Sequence, residues 1–188
     1  VLDFNQDGFQ DLFVANDGMP DYLWRNNGNN TFSEIGRLTG CNLDNDGSAK
    51  AGMGVTSADL DDDGDFEIYV CNMMGESDSV FENHGEYFID VTNKFGLKAV
   101  SRIRTRFGIG LRDFNNDGFL DLFEANGKIA MNLGIVGDKY AEENLVLRGS
   151  ERRFTPLSTE DGTEVPTVRT SRGASFADLD NDGDTDII

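Results

Sequence analysis

The chain has 188 residues, enough for a substantial core and too few for more than one or two ordinary domains. Its 16 basic and 35 acidic residues give a formal charge of −19, which disfavours non-specific binding to nucleic acid or to an anionic membrane. No apolar run approaches the roughly 18 to 20 residues of a membrane span, and no signal peptide is visible.

The acidity is concentrated. Four nine-residue segments share the pattern Asp-x-(Asp/Asn)-x-Asp-Gly-x-x-(Asp/Glu) and together hold 17 of the 35 acids. Calcium is a hard cation that takes roughly six to eight oxygens at flexible geometry. Oxygens at alternate positions can surround one ion if the chain turns sharply, and the glycine at position six permits that turn through a positive φ. The expected ligands are positions one, three, five and nine by side chain and position seven by its backbone carbonyl. They are Asp3, Asn5, Asp7, Phe9 and Asp11 in loop one, and Asp59, Asp61, Asp63, Asp65 and Glu67 in loop two. Loop three offers Asp113, Asn115, Asp117, Phe119 and Asp121, and loop four Asp178, Asp180, Asp182, Asp184 and Asp186. The cofactor expected is Ca²⁺, up to four ions, which would bring the charge from −19 to −11. Loops two and four carry four side-chain carboxylates against three plus an Asn in the others, so charge favours them.

Taken in chain order, loop one leads into Asp11–Ala15, a short apolar run that reads as strand. Tyr22–Arg25, the turn Asn26–Asn30 and Thr31–Ile35 read as a hairpin. The glycine-bearing Ala51–Ala58 precedes loop two, Glu67–Cys71 follows it, and a second hairpin spans Val80–Val91 around the turn Asn83–Gly85. Arg106–Leu111, loop three and Asp121–Ala125 repeat the order, and Ser171–Ala177 introduces loop four. No window keeps helical periodicity. The loops begin at 3, 59, 113 and 178, a spacing that means stacked supersecondary units. The longer third interval places its excess in Leu133–Asn144.

Each unit thus holds about four antiparallel strands, with the loop joining the first to the second. The fold class is all-β, and the repeat suits β-propeller blades: about three four-stranded blades plus a partial one, with units at approximately 1–50, 51–105, 106–170 and 171–188. The first unit lacks its first strand and the last its third and fourth. A fragment of a larger propeller is therefore expected, with flanking domains in the full-length chain.

These residues resemble FG-GAP or VCBS repeats. The stretches Asn16–Gly28, Ala51–Val55, Arg106–Gly110, Ala125–Gly127 and Ser171–Ala174 are similar to the repeat region of ASPIC/UnbV proteins, related to cartilage acidic protein. The resemblance covers nearly the whole chain. It implies a secreted or surface-exposed calcium-binding propeller and carries the ligand positions over to the loops named above.

An EF-hand needs an acid at position twelve and flanking helices, and Val14, Val70 and Glu124 stand there among strands. Asn42–Lys50 imitates a loop, but Lys50 at position nine would repel Ca²⁺. His84 lacks a partner pattern for catalysis or zinc. Cys41 and Cys71 are expected to stay unpaired. Arg102, Arg104, Arg106 and Arg112 are expected to pair with neighbouring acidic loops. Asn29-Asn-Thr31 matches a glycosylation acceptor. Trp24 and Met53 are expected in the core, as are Phe4, Leu60, Phe114 and Leu179 at position two of each loop. The function expected is a calcium-binding repeat module with a structural, adhesive or ligand-recognition role, not an enzyme. Its partner would be a protein or glycan, and its place extracellular, periplasmic or at the cell surface. The alternative is a carbohydrate-active enzyme or carbohydrate-binding module on a propeller.

Overall fold

The computed structural model describes residues 1–130, 140–157 and 168–188. Within them the class is all-β, as the alternating runs required. The first sheet has three strands, β1 (Leu12–Val14), β2 (Tyr22–Asn26) and β3 (Phe32–Glu34). The second is a complete four-stranded meander of β4 (Gly52–Ala58), β5 (Glu67–Asn72), β6 (Ser79–Asn83) and β7 (Phe88–Asp90). All pairs are antiparallel, as expected where short loops join consecutive strands.

The third sheet has four strands despite the longer repeat. It contains β8 (Arg106–Arg112), β9 (Asp121–Asn126), β11 (Leu145–Ser150) and β12 (Arg153–Pro156), with β9 paired directly to β11. Part of the extra length forms β10 (Glu142–Glu143), which leaves the sheet and pairs with β13 (Val168–Arg169). Residues 133–139 of the expected insertion lie outside the described residues. The fourth sheet is the pair β14 (Phe176–Ala177) and β15 (Asp186–Ile187), so the strand expected over Ser171–Ala177 is shorter than its sequence suggests. Two one-turn helices, α1 (Gly36–Thr39) and α2 (Leu97–Val100), were not foreseen. They are too short to leave a periodic signal.

The core lies between sheets. Alternation along β5 sends Ile68 and Val70 toward the first unit, where they pack with Phe4, Phe13 and Leu23. It sends Tyr69 and Cys71 toward the third, where they meet Leu111, Leu122 and Leu147. Every residue of β5, β6 and β9 is buried, so neither face of these strands is left to solvent. Cys41 and Cys71 are free thiols, one in each cluster.

The glycines before each loop set the distance between units. A Cβ on Gly54 would stand 1.9 Å from the carbonyl oxygen of Phe107, and one on Gly108 2.5 Å from the backbone nitrogen of Ala174. The first strands of successive units therefore touch backbone to backbone, which only glycine permits.

Three core expectations need correction. Trp24 is half-buried and sits edge-on to Tyr22, because Leu23 takes the buried face of β2. Phe114 is half-buried against Phe176. Leu179 is 58 % exposed, while its equivalent Phe4 is 3 % exposed and packs on Phe88 of the next unit. Position two thus anchors a loop onto the following unit, and among the described residues no such unit packs on Leu179. Leu60 and Met53 do pack against the core.

Candidate metal centre

All four loops are wired alike. The position-one carboxylate accepts the N–H groups of positions five and six: Asp3 from Asp7 at 3.1 Å and Gly8 at 2.9 Å, Asp59 from Asp63 at 3.2 Å and Gly64 at 3.0 Å. Asp113 and Asp178 do the same with Asp117, Gly118, Asp182 and Gly183. The position-five carboxylate accepts the N–H of position seven in each loop. These bonds curl the chain so that side-chain oxygens face inward.

Glycine at position six has φ of 88° to 95° in all four loops. Position four is also left-handed, at Gln6, Asp62, Asn116 and Asn181, with φ of 54° to 61°. Sequence reading missed this second reversal. Its signal was available, since three of the four are Asn or Asp, the side chains that best tolerate that region.

Position nine closes the loop and ties it to the sheet. One oxygen accepts the position-two N–H: Asp11 from Phe4 at 3.2 Å, Glu67 from Leu60 at 2.6 Å, Asp121 from Phe114 at 3.1 Å, Asp186 from Leu179 at 2.9 Å. In the first three units the other oxygen accepts an N–H from the strand paired with the one that follows the loop, at Asn26 of β2, Asn83 of β6 or Gly149 of β11. Asp11, Glu67 and Asp121 are accordingly buried. Burial raises each of their pKa values, Glu67 to about 8. Asp65 is pushed up to about 6 by burial and by neighbouring Asp63, and Asp61 is raised for the same reasons.

The loops differ in how their acids converge. Carboxylate oxygens of Asp59, Asp61 and Glu67 lie within 4.8 Å of one another, as do those of Asp63, Asp65 and Glu67, and of Asp178, Asp180 and Asp186. Among the described residues no such three-acid group forms at loops one and three, where Asn5 and Asn115 replace an acid. Asp65 was expected to act through its carbonyl, yet its carboxylate joins the cluster. Asp184, its equivalent, turns instead to accept a bond from Asn116 of the neighbouring loop at 3.0 Å. Phe9 and Phe119 expose their rings.

A cation fits the donor set. Oxygen is the sole ligand element, and three inward-facing acceptors are buried without a hydrogen-bond partner: Asn5 Oδ1, Asp61 Oδ1 and Asp65 Oδ1. Uncompensated burial of such atoms is costly, and a hard divalent ion satisfies several at once.

The imitation loop holds its own cation. Lys50 Nζ lies 3.5 Å from Asp44 Oδ2 and donates to Ser77 Oγ, the Asp78 carbonyl and Ser79 Oγ at 3.0 to 3.2 Å. The arginines do not alternate along one strand toward the acidic loops. Arg106 is buried and pairs with Asp78 at 2.7 Å, Arg104 pairs with Glu143, Arg102 donates to the Gly75 carbonyl, and Arg112 stands over the Phe176 ring. His84 stacks on Tyr87 with ring centroids 5.1 Å apart.

Comparison with known proteins agrees with the repeat wiring. Residues 3–70, which contain loops one and two, match the family of FG-GAP-like repeats. Cartilage acidic protein 1 of Xenopus tropicalis is 31 % identical over 191 residues, covering 95 % of this chain and 26 % of that protein. The Homo sapiens and Mus musculus proteins of the same name are each 28 % identical over 185 residues. The chain spans about a quarter of the length of the curated relatives it matches. Residues 3–70 are therefore similar to FG-GAP-like repeats, and the chain is similar to a part of cartilage acidic protein 1 along nearly all of its own length.

Proposed function

We propose that this chain is a calcium-binding segment of a β-propeller, acting outside the cell as a structural, adhesive or ligand-recognition module. The observation that carries the reading is loop two, where Asp59, Asp61, Asp63, Asp65 and Glu67 converge in two overlapping three-acid groups and Asp61 Oδ1 and Asp65 Oδ1 are buried without hydrogen-bond partners. Asp59, Asp61, Asp63, Asp65 and Glu67 would hold the ion in loop two, and Asp178, Asp180 and Asp186 in loop four. Asp3, Asn5, Asp7 and Asp11 would do so in loop one, and Asp113, Asn115, Asp117 and Asp121 in loop three. Bound calcium supplies two positive charges that offset the mutual repulsion of these acids. Because position nine in the first three units also binds a neighbouring strand, the ion would stiffen part of the sheet and not merely a turn.

Register supports the propeller. Ile68, Val70, Phe81 and Phe88 form the face of unit two that packs on unit one. Their register equivalents in unit one are Leu12, Val14, Trp24 and Phe32, of which Leu12, Val14 and Phe32 are exposed. At the other end, exposed Leu179 and Ile188 are the equivalents of Phe4 and Phe13, the residues that enter such a face. Each end therefore presents what a further blade would cover.

The extracellular reading carries an expected affinity. Open loops of this type suit dissociation constants of ~10⁻⁴ to 10⁻³ M, matched to calcium outside cells. Titration calorimetry with CaCl₂ and MgCl₂, paired with thermal unfolding, tests the reading. Calcium is expected to bind in that range and to raise the unfolding temperature, with magnesium weaker. No heat and no stabilisation at ~10 mM calcium would sink it.

A further inference from the structure

Arg152 lies at the turn between β11 and β12 of the third unit, yet its guanidinium contacts a loop of the second. One terminal nitrogen, Nη2, pairs with Asp61 Oδ2, and Nη1 stands 3.7 Å from Glu82 Oε1 of β6. The Asp61 side chain is 4 % exposed and that of Arg152 50 %. Asp61 Oδ1 is buried with no hydrogen-bond partner, and Asp61 shares a three-acid cluster with Asp59 and Glu67. The carboxylate is divided: one oxygen serves the neighbouring unit, the other faces the interior of its own loop.

We propose that Arg152 is the outer positioning residue of the second loop's cation site, so that ion occupancy of unit two and docking of the unit-three hairpin reinforce each other. The proposal rests on the calcium reading above. Residues that orient a ligating carboxylate commonly matter about ten- to a hundredfold for metal affinity. The guanidinium also carries a positive charge, which repels the ion. With half of Arg152 in water that repulsion is screened, whereas the hydrogen bond still removes the rotational freedom Asp61 would otherwise lose on binding. Coupling between two binding events is reciprocal, so calcium must in turn hold the hairpin. The other lateral contacts between loops, Gln6 to the Gly64 carbonyl and Asn116 to Asp184, come from uncharged side chains.

The test uses this chain with Arg152→Ala, Arg152→Gln and Arg152→Lys, read by calcium calorimetry and by hydrogen exchange of residues 150–153. Arg152→Ala is expected to weaken one site about tenfold and leave the others unchanged. In the unsubstituted chain calcium should slow exchange at 150–153, and in Arg152→Ala it should not. Arg152→Lys should recover part of both effects. Should Arg152→Ala fail to fold, Arg152→Gln, which keeps much of the stem, is read in its place. Unchanged or tighter binding in the variant, or exchange that calcium slows equally in both, overturns the proposal. A flat titration of the unsubstituted chain would overturn the calcium reading and this proposal together, so the two failures are distinguishable.

Discussion

The Tyr69 hydroxyl lies 3.2 Å from Glu124 Oε1, with both side chains fully buried where the second and third units meet. The same hydroxyl donates to Asp78 Oδ2 at 2.7 Å, and Asp78 Oδ1 accepts from Arg106 Nε at 2.7 Å. At the preceding joint the equivalent positions are Phe13 and Val70, both apolar. At this point one interface of the repeat is thus apolar, and the next holds a buried polar network in which Glu124 Oε2 has no hydrogen-bond partner. Its charges balance if Glu124 stays neutral, with Arg106 offsetting Asp78.

Burial, followed by the nearby Asp78 charge, raises the Glu124 pKa well above its ordinary 4.5. A carboxyl raised in the folded state contributes its full stability below the unfolded value and loses it as pH climbs toward the folded one. Glu67, raised to about 8 in the ion-free protein, carries the same sign. Glu124→Gln keeps a neutral group of the same shape. It should therefore flatten, without abolishing, the fall in urea midpoint between about pH 5 and pH 8. An unchanged slope would mean that Glu124 is ionised in the folded protein.

Gly54→Ala should separate the first strands of units two and three. The new Cβ would meet the Phe107 carbonyl at 1.9 Å, and backbone cannot step aside as a flexible side chain could. A cost of about 1 to 3 kcal/mol is expected by chemical denaturation, as for other overpacked sites. Gly64→Ala gives a contrasting result. There the space is open but φ is +94°, so the penalty is backbone strain in the loop and calcium affinity should fall with it.

Glu67 belongs to both acidic clusters of loop two, and Asp65 to one. Glu67→Gln should accordingly weaken calcium binding more than Asp65→Asn. It should also destabilise the ion-free protein less than Glu67→Ala, because an amide oxygen still accepts one of the Leu60 and Asn83 N–H bonds. Equal losses of affinity in calorimetry would contradict the shared-ligand geometry.

Phe4→Ala removes a buried ring from between units one and two and should cost about 3 to 5 kcal/mol in urea unfolding. Leu179→Ala, at the same repeat position but exposed, should stay within about 0.5 kcal/mol. Phe114→Ala, half-buried on Phe176, should fall between them and weaken calcium uptake by loop three without touching a ligand.

The loop pattern was legible in the sequence because its chemistry is local. Alternating carboxylates, a glycine at position six and an acid at position nine act over nine residues, and backbone bonds within the loop reproduce them. The four-strand repeat was legible for the same reason, since strand alternation and turn residues are read over short windows. Nothing local in Leu179 distinguished it from Phe4; exposure was decided by whether a following unit covered it. Likewise nothing local marked Arg106 and Glu124 as buried charges, which units two and three close around, and Arg152 meets Asp61 only because the two lie across the joint, 91 residues apart in the chain. Sequence settled how each turn is wired and how each sheet is built. Packing between units, a long-range property of burial and charge, decided which side chains are solvated and which loops are tied to their neighbours.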